Sequence, residues 1–211
     1  MTKITAFDKI NDIEKKHMLN CFEATNIHYK KDTTILSNML NTTVVGIIEN
    51  GTANIIRYNY DGTRTFIEQL NHGDVFGAFS NTISEDLYVI SKEDCDVIMF
   101  DYSKLINRCK KNCPYHNQLI DNMLQILNNK LKNYNQRIEI LTKKTIREKL
   151  LSYFKLISKQ NLNSKIITIP YSLTDLADYL CIDRSAMMRE IKNLKDDNLI
   201  ESKGRKIYLN F

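Results

Sequence analysis

The chain is poor in several residues and segments that mark particular protein classes. Its 211 residues include no tryptophan and only two prolines. No charged segment followed by an apolar run stands near the N-terminus, so we expect no secretory signal peptide. No apolar run reaches the roughly 18 residues of a membrane-spanning helix. The five cysteines are an odd number, which argues against a secreted disulfide framework and predicts a reducing, cytoplasmic setting.

Motifs of common enzyme classes are also missing. The sequence shows no Ser/His/Asp pattern, no phosphate-binding Walker motif and no GxGxxG. A metal-dependent β-barrel enzyme of the cupin type would need two closely spaced histidines in one strand, with a further His and Glu. His28 and His72 are instead 44 residues apart, and so are His72 and His116. We therefore predict a protein that is not an enzyme and holds no catalytic metal.

Charge is divided unevenly along the chain. Residues 1–107 contain 10 Lys and Arg against 15 Asp and Glu, a net charge of −5, whereas residues 108–211 carry a net charge of +10. A basic half beside an acidic half is typical of a protein in which one part contacts a polyanion. A lysine-rich solvated surface would give a similar pattern, so this observation is suggestive only when joined to a motif.

Residues 1–107 show the pattern of an antiparallel β-domain. Gly51, Gly62 and Gly73 recur every 11 residues in turn-like contexts, and Asn-Gly and Asp-Gly steps permit the positive φ of tight turns. Between the turns lie β-type runs such as VVGIIE and CDVIMFD, and HYKKDTTIL is expected to add one strand. One or two short amphipathic helices are expected in residues 4–24. Short strands at this spacing predict an antiparallel β-roll of the jelly-roll type.

The next segment, residues 108–143, changes to a heptad period. Apolar residues alternate at spacings of four and three, which is typical of a helix that pairs with its own copy. This seam consists of Ile120, Leu124, Leu127, Leu131, Tyr134, Ile138 and Leu141. The alternative, a helix that packs only on its own roll, stays open.

The last segment, residues 144–211, carries the signature of a winged helix-turn-helix. Thr145 and Ser172 are each followed three residues later by an acid, which marks two helix starts, and Asp183 is placed to cap a third helix. In that third helix Met187, Ile191 and Leu194 share one side. The exposed remainder is Arg184, Ser185, Met188, Arg189 and Lys192. The following NLIESKGRKIYL reads as a β-hairpin with Gly204 and three basic residues at its tip, which predicts DNA binding.

With these pieces in order, the chain resembles the Crp/Fnr family of bacterial transcription regulators over nearly its whole length. The best-matching stretches are ENGTANIIRYNYDGTRTFIEQLNHGDVFGAF and LTDLADYLCIDRSAMMREIKNLKDDNLI. The resemblance implies an α+β fold: an N-terminal β-roll, a long dimerisation helix and a C-terminal winged helix-turn-helix. It also implies a homodimer that binds double-stranded DNA at an inverted repeat. RNA polymerase is a further candidate partner, and no association with a membrane is expected.

Specific roles follow from the resemblance for the DNA-binding part. Arg184 and Arg189 match base-reading arginines, whose forked guanidinium groups suit the O6 and N7 acceptors of guanine. Ser185 stands where better-known members have a Glu that reads cytosine, so the operator is expected to differ. The residues expected to contact phosphate are Ser172, Thr174, Lys192, Lys203 and Arg205.

The sensor pocket departs from the cyclic-nucleotide pattern. Its candidate residues are Gly77, Ala78, Phe79, Glu85 and Asp86. Ala78 replaces the ribose-binding Glu, and Glu85 and Asp86 stand where an Arg-Ser pair would hold the phosphate. A like-charge contact at ~4 Å costs about 4 kcal/mol at an effective dielectric constant near 20. Cyclic AMP in the usual pose is therefore not expected, and the identity of any effector stays unknown.

Three alternatives for sensing remain open at this point: no effector, a thiol or metal signal, or haem. Cys109, Cys113 and His116 are the clustered soft ligands, although a fourth ligand is not visible. His17, His28 and His72 are the candidate haem ligands. Cys95 and Cys181 are expected to serve packing.

Overall fold

The computed structural model describes residues 4–37, 43–77, 87–107 and 115–211. The chain divides into two compact units, Met1–Leu131 and Lys132–Phe211. In the parts of the chain that the structure describes, no helix is long and apolar enough to cross a membrane.

The first unit contains two four-stranded antiparallel sheets with short helices. In chain order its elements before the long helix are α1 (Asp12–Cys21), β1 (Thr25–Tyr29), β2 (Thr34–Ser37), β3 (Val44–Asn50), β4 (Ala53–Tyr58), β5 (Arg64–Leu70), β6 (Val75–Gly77), β7 (Leu87–Ser91), β8 (Cys95–Asp101) and α2 (Tyr102–Ile106). One sheet has the strand order β1-β8-β3-β6 and the other β2-β7-β4-β5. This confirms the predicted antiparallel roll.

The two central strands of the sheet β1-β8-β3-β6, β8 and β3, are buried on both faces. Side chains alternate across a strand, so Val97 in β8 packs towards the second sheet, where Ile55 and Val89 belong to the same cluster. Its neighbour Ile98 packs on the opposite face with residues of α1 and of the long helix that follows α2. Burial on both faces explains why CDVIMFD and VVGIIE read as nearly continuous apolar runs rather than alternating ones.

The glycine turns differ in what they connect. Gly62, at φ +77°, lies in the hairpin between the paired strands β4 and β5, as predicted. Gly51 and Gly73 also have positive φ, but they connect strands that belong to different sheets and so form corners of the roll. HYKKDTTIL forms parts of two strands, β1 and β2, rather than one, because the chain turns at Asp32 (φ +61°) between the two sheets.

The long helix α3 (Tyr115–Leu141) carries two different apolar faces. Leu119, Met123 and Ile126 are buried against the first unit. Between them, the Asn122 side chain donates hydrogen bonds to the backbone carbonyls of Ala6 and Asp8 at 3.0 and 2.8 Å. The predicted heptad seam overlaps this face at Ile120, which packs against the same cluster, and separates from it further along the helix. Four of its members are prominently exposed: Leu124, Leu131, Tyr134 and Ile138.

The second unit folds as a winged helix domain, which confirms the prediction. After the end of α3 it contains α4 (Ile146–Gln160), β9 (Ile166–Thr168), α5 (Leu173–Tyr179), α6 (Arg184–Asp196), β10 (Ile200–Lys203) and β11 (Lys206–Leu209). The three strands pair antiparallel in the order β10-β11-β9. A capping box at Thr145 and Glu148 starts α4, so this helix begins where the sequence signature predicts.

Candidate nucleic-acid interface

The turn between α5 and α6 is fixed by backbone hydrogen bonds. Ile182 donates its N–H to the Ala177 carbonyl, and Cys181 donates to the Asp178 carbonyl, both at 3.1 Å. This is the Schellman pattern, in which the residue after the helix takes a left-handed conformation, and Cys181 has φ +50°. The Cys181 side chain is exposed, so the prediction that it serves packing is wrong. Its backbone, rather than its thiol, forms the turn.

Helix α6 has one face in the core and another in solvent. The Asp183 side chain accepts a hydrogen bond from the Ala186 N–H at 2.7 Å and so caps the helix. Met187, Ile191 and Leu194 are buried in the core of this unit. The exposed face carries Arg184, Ser185, Met188, Arg189 and Lys192. Within the described ranges, none of the cations on this face is in an ion pair, so they remain available to an external anion.

Arg147 of α4 forms ion pairs with two acids on the other side of α6. Arg147 Nε donates to Glu190 Oε1 and its Nη2 to Asp197 Oδ2, both at 2.6 Å. The Arg147 hydrogen bond lowers the pKa of Glu190, and the two acids raise the pKa of Arg147. These two contacts, the Arg147 clamp, hold α6 against α4, and the single positive charge of Arg147 offsets one of the two negative charges. Sequence reasoning missed the clamp, because Arg147 and Glu190 are 43 positions apart and no local pattern links them.

The hairpin of β10 and β11 presents a basic tip. Lys203 pairs with Lys206, which leaves Gly204 and Arg205 as a two-residue loop. Gly204 has φ +59° and Arg205 does not have a positive φ, as in a type II′ turn. A Cβ at Gly204 would meet no atom within 4 Å, so the tip projects into solvent. The Ile169 N–H donates a hydrogen bond to the Arg205 carbonyl at 2.9 Å and so connects the loop to the end of strand β9.

All eight residues predicted to contact DNA are exposed in the structure. They are Ser172, Thr174, Arg184, Ser185, Arg189, Lys192, Lys203 and Arg205. Ser172 caps α5: its hydroxyl accepts from the Asp175 N–H at 3.1 Å and donates to Asp175 Oδ2 at 2.7 Å. A phosphate contact by the Ser172 hydroxyl would compete with its hydrogen bond to Asp175 Oδ2. Within the described residues, no side-chain hydrogen bond is found for the Thr174 hydroxyl, so a phosphate would meet no such competition there.

The predicted sensor residues are only partly described. Gly77 ends β6 with φ +92°, and a Cβ there would collide with the Val44 carbonyl oxygen. The backbone therefore requires glycine at this position. The other four predicted pocket residues lie outside the described residues: Ala78, Phe79, Glu85 and Asp86.

The soft-ligand candidates are not brought together in the described parts of the chain. Cys109 and Cys113 lie outside the described residues. His116 is buried, and its Nε2 is in hydrogen-bond contact with the Leu105 carbonyl. Cys95 is fully buried, which agrees with the packing role predicted for it. Among the described residues, no group of three or more His, Cys, Asp or Glu side chains could hold a metal ion.

The three candidate haem ligands lie at separate places. His17 Nε2 is 3.7 Å from Cys21 Sγ. His28 Nδ1 is 2.8 Å from Asp96 Oδ1, and His72 Nδ1 is 2.6 Å from the Glu49 carbonyl. Each imidazole already has a polar neighbour in its own locality.

The fold defines a class: an antiparallel β-roll followed by a winged helix-turn-helix. Residues 26–112 match the family model described as "Cyclic nucleotide-binding domain". No curated protein sequence is significantly similar to the chain. Solved structures share the fold along nearly their whole length, and three examples follow.

FixK2 from Bradyrhizobium japonicum is 22% identical, with 89% of this chain and 93% of that chain covered and a TM-score of 0.62. A CooA mutant from Carboxydothermus hydrogenoformans is 15% identical, with coverages of 97% and 88% and a TM-score of 0.74. A transcriptional regulator of the CRP/FNR family from Thermus thermophilus is 16% identical, with coverages of 89% and 94% and a TM-score of 0.59. The resemblance to Crp/Fnr regulators is thus confirmed at the level of the fold.

Proposed function

We propose that the protein is a transcription regulator that binds double-stranded DNA in a sequence-specific manner and is not an enzyme. The observation that carries the proposal is the exposed cationic face of α6, which forms no ion pair with any described residue, together with the basic hairpin tip. A helix that follows a tight turn and projects Arg side chains from its N-terminal half has the form of a recognition helix. The shared fold with transcription regulators supports the same conclusion.

The cations divide into two proposed roles. Arg184 and Arg189 lie five positions apart on the exposed face of α6, where each guanidinium group can bind the O6 and N7 acceptors of a guanine. Lys203 and Arg205 lie at the hairpin tip, where they would contact phosphate and fix the orientation of the domain. Ser185 lies between the two arginines. Its hydroxyl can form a hydrogen bond with any of several bases, so it discriminates weakly between base pairs.

A homodimer is part of the proposal. The heptad seam of α3 leaves large apolar side chains in solvent, among them Leu131 at 60% and Ile138 at 58% exposure. Pairing of two such helices would cover these side chains. Two recognition helices would then meet half-sites about one DNA turn apart, which predicts an inverted-repeat operator.

For the effector, we propose only that it is not cyclic AMP. The sequence at Ala78, Glu85 and Asp86 lacks the cation and the ribose acceptor that cyclic AMP needs in the usual pose. We therefore propose a regulator, acting in a reducing cytoplasm, that does not respond to cyclic AMP. A contact with RNA polymerase also remains a proposal.

Fluorescence anisotropy with a DNA fragment from the gene's own promoter region tests the proposal. Arg189→Ala is expected to weaken binding by about 5- to 150-fold, because one bidentate base contact contributes roughly 1–3 kcal/mol. Lys159→Ala, an exposed cation near the end of α4, is the matched control and is expected to change little. Equal binding of the wild type to the inverted repeat and to a scrambled repeat would contradict sequence-specific recognition.

A further inference from the structure

Helix α6 carries two adjacent methionines in opposite surroundings. Met187 is fully buried and belongs to the core of this unit, together with Ile191 and Leu194. Met188 is 40% exposed and points away from that core. Single exposed apolar side chains are common on protein surfaces, so the exposure of Met188 acquires a meaning only from the residues that surround it.

Met188 lies among the residues of α6 that are proposed to contact DNA. At about 100° per residue, it is about 40° around the helix axis from Arg184 and about 60° from Ser185. Arg189 follows it directly, and Lys192 lies one turn further along. All four neighbours are exposed. Met188 is the only exposed apolar residue of α6, a helix that the structure describes in full. It therefore stands inside a polar, mostly cationic surface.

The major groove of DNA offers an apolar group that such a side chain can contact. Thymine presents its 5-methyl group there, beside the hydrogen-bond donors and acceptors of the base edges, and an apolar contact with this methyl group selects thymine. Methionine suits the contact, because its side chain is unbranched, flexible and polarisable and so fits irregular surfaces. The chemistry of Met188 thus matches a feature of the base edges that hydrogen bonds do not read.

We infer that Met188 is a specificity-determining residue of α6, whose side chain contacts the 5-methyl group of a thymine in the major groove. The inference rests on the proposed function, since it assigns a base to a further residue of the same helix. Arg184 and Arg189 are the neighbours of Met188 on the helix surface, so the thymine lies beside a guanine that one of them binds. Met188 thereby supplies base discrimination where Ser185 supplies little.

Selection of binding sites from a pool of random DNA duplexes identifies this thymine. The full-length wild type is expected to enrich a thymine beside a guanine in each half-site. Met188→Gln keeps the length and the helix propensity of the side chain but makes it polar, and is expected to lose the preference for that thymine while the other positions keep theirs. Met188→Leu is the matched control and is expected to keep the thymine, because its side chain stays apolar at a similar volume.

Replacement of the selected thymine by uracil removes the methyl group and leaves the hydrogen-bonding groups of the base unchanged. In fluorescence anisotropy, the wild type is expected to bind the uracil duplex about 4-fold more weakly for each half-site changed, because burial of one group of this size contributes about 0.8 kcal/mol. Met188→Gln is expected to bind the thymine and uracil duplexes equally. Uracil in place of a thymine outside the half-sites is the control and is expected to change nothing.

The outcomes that refute this inference differ from those that refute the proposed function. Three results would each overturn the role of Met188 and leave a sequence-specific regulator intact: an enriched site in which Met188→Gln keeps every preference, a Met188→Gln variant that loses preference at all positions together, and equal binding of the wild type to the thymine and uracil duplexes. If the wild type enriches no sequence at all, specific DNA binding itself is refuted, and the role of Met188 with it.

Discussion

Removal of one apolar side chain from the exposed seam of α3 tests the proposed dimer most directly. Leu131 is 60% exposed, and complete burial of a leucine side chain contributes about 1.5–3 kcal/mol. Burial of the exposed part therefore contributes about 1–2 kcal/mol per protomer. The symmetric seam uses the residue twice, which gives about 2–4 kcal/mol per dimer. Leu131→Ala is expected to raise the dimer dissociation constant by roughly 30- to 900-fold.

Sedimentation equilibrium over a range of protein concentrations measures this change. Asn133→Ala is the control, because Asn133 is exposed on the same helix about 200° around from Leu131. This control is expected to leave the dissociation constant unchanged. A wild-type protein that stays monomeric at high micromolar concentration would refute the reasoning, and so would equal dissociation constants for Leu131→Ala and wild type.

Two further predictions concern the winged helix unit. The buried Tyr153 hydroxyl has no hydrogen-bond partner within the described residues. Tyr153→Phe is therefore expected to raise the free energy of unfolding, measured in urea, by about 1–3 kcal/mol. A loss of stability in this variant would mean that the hydroxyl has a partner. Arg147 lowers the pKa of Glu190 below the ordinary value of 4.5; the stabilisation from this pair is present above pH 4.5 and lost as the pH falls below it. Glu190→Gln is expected to flatten the fall of Tm with acid in that range, and an unchanged profile would contradict the assignment.

The elements that the sequence predicts best are those with local signals. Helix α4 begins at its capping box, and the hairpin at Gly62 follows from an Asp-Gly step, because both signals act within four residues. The seam was recognisable because its spacing is regular. The same helix also has Leu119, Met123 and Ile126 at spacings of four and three, which is a second usable signal for the face that packs on the roll.

Features that depend on distant pairing could not be predicted in the same way. The sequence shows that Arg57 and Ile55 share a face of one strand, but only the register with β7, in which Arg57 pairs with Leu87, identifies that face as the inner one. The clamp at Arg147 joins two helices through long side chains and has no spacing rule. Cys181 has a left-handed backbone conformation in the turn. A cysteine does not predict this conformation, since glycine is the usual residue at such a position.

The burial of strands β3 and β8 on both faces limits where such a chain can be cut and recombined. Ile98 and Phe100 are covered by a cluster that includes Leu119, Met123 and Ile126 of α3. A fragment that stops before α3 would expose this apolar face and is expected to aggregate. Hybrid regulators that exchange one roll for another should therefore carry the roll and the first three turns of α3 as a single cassette, with the junction placed after Ile126.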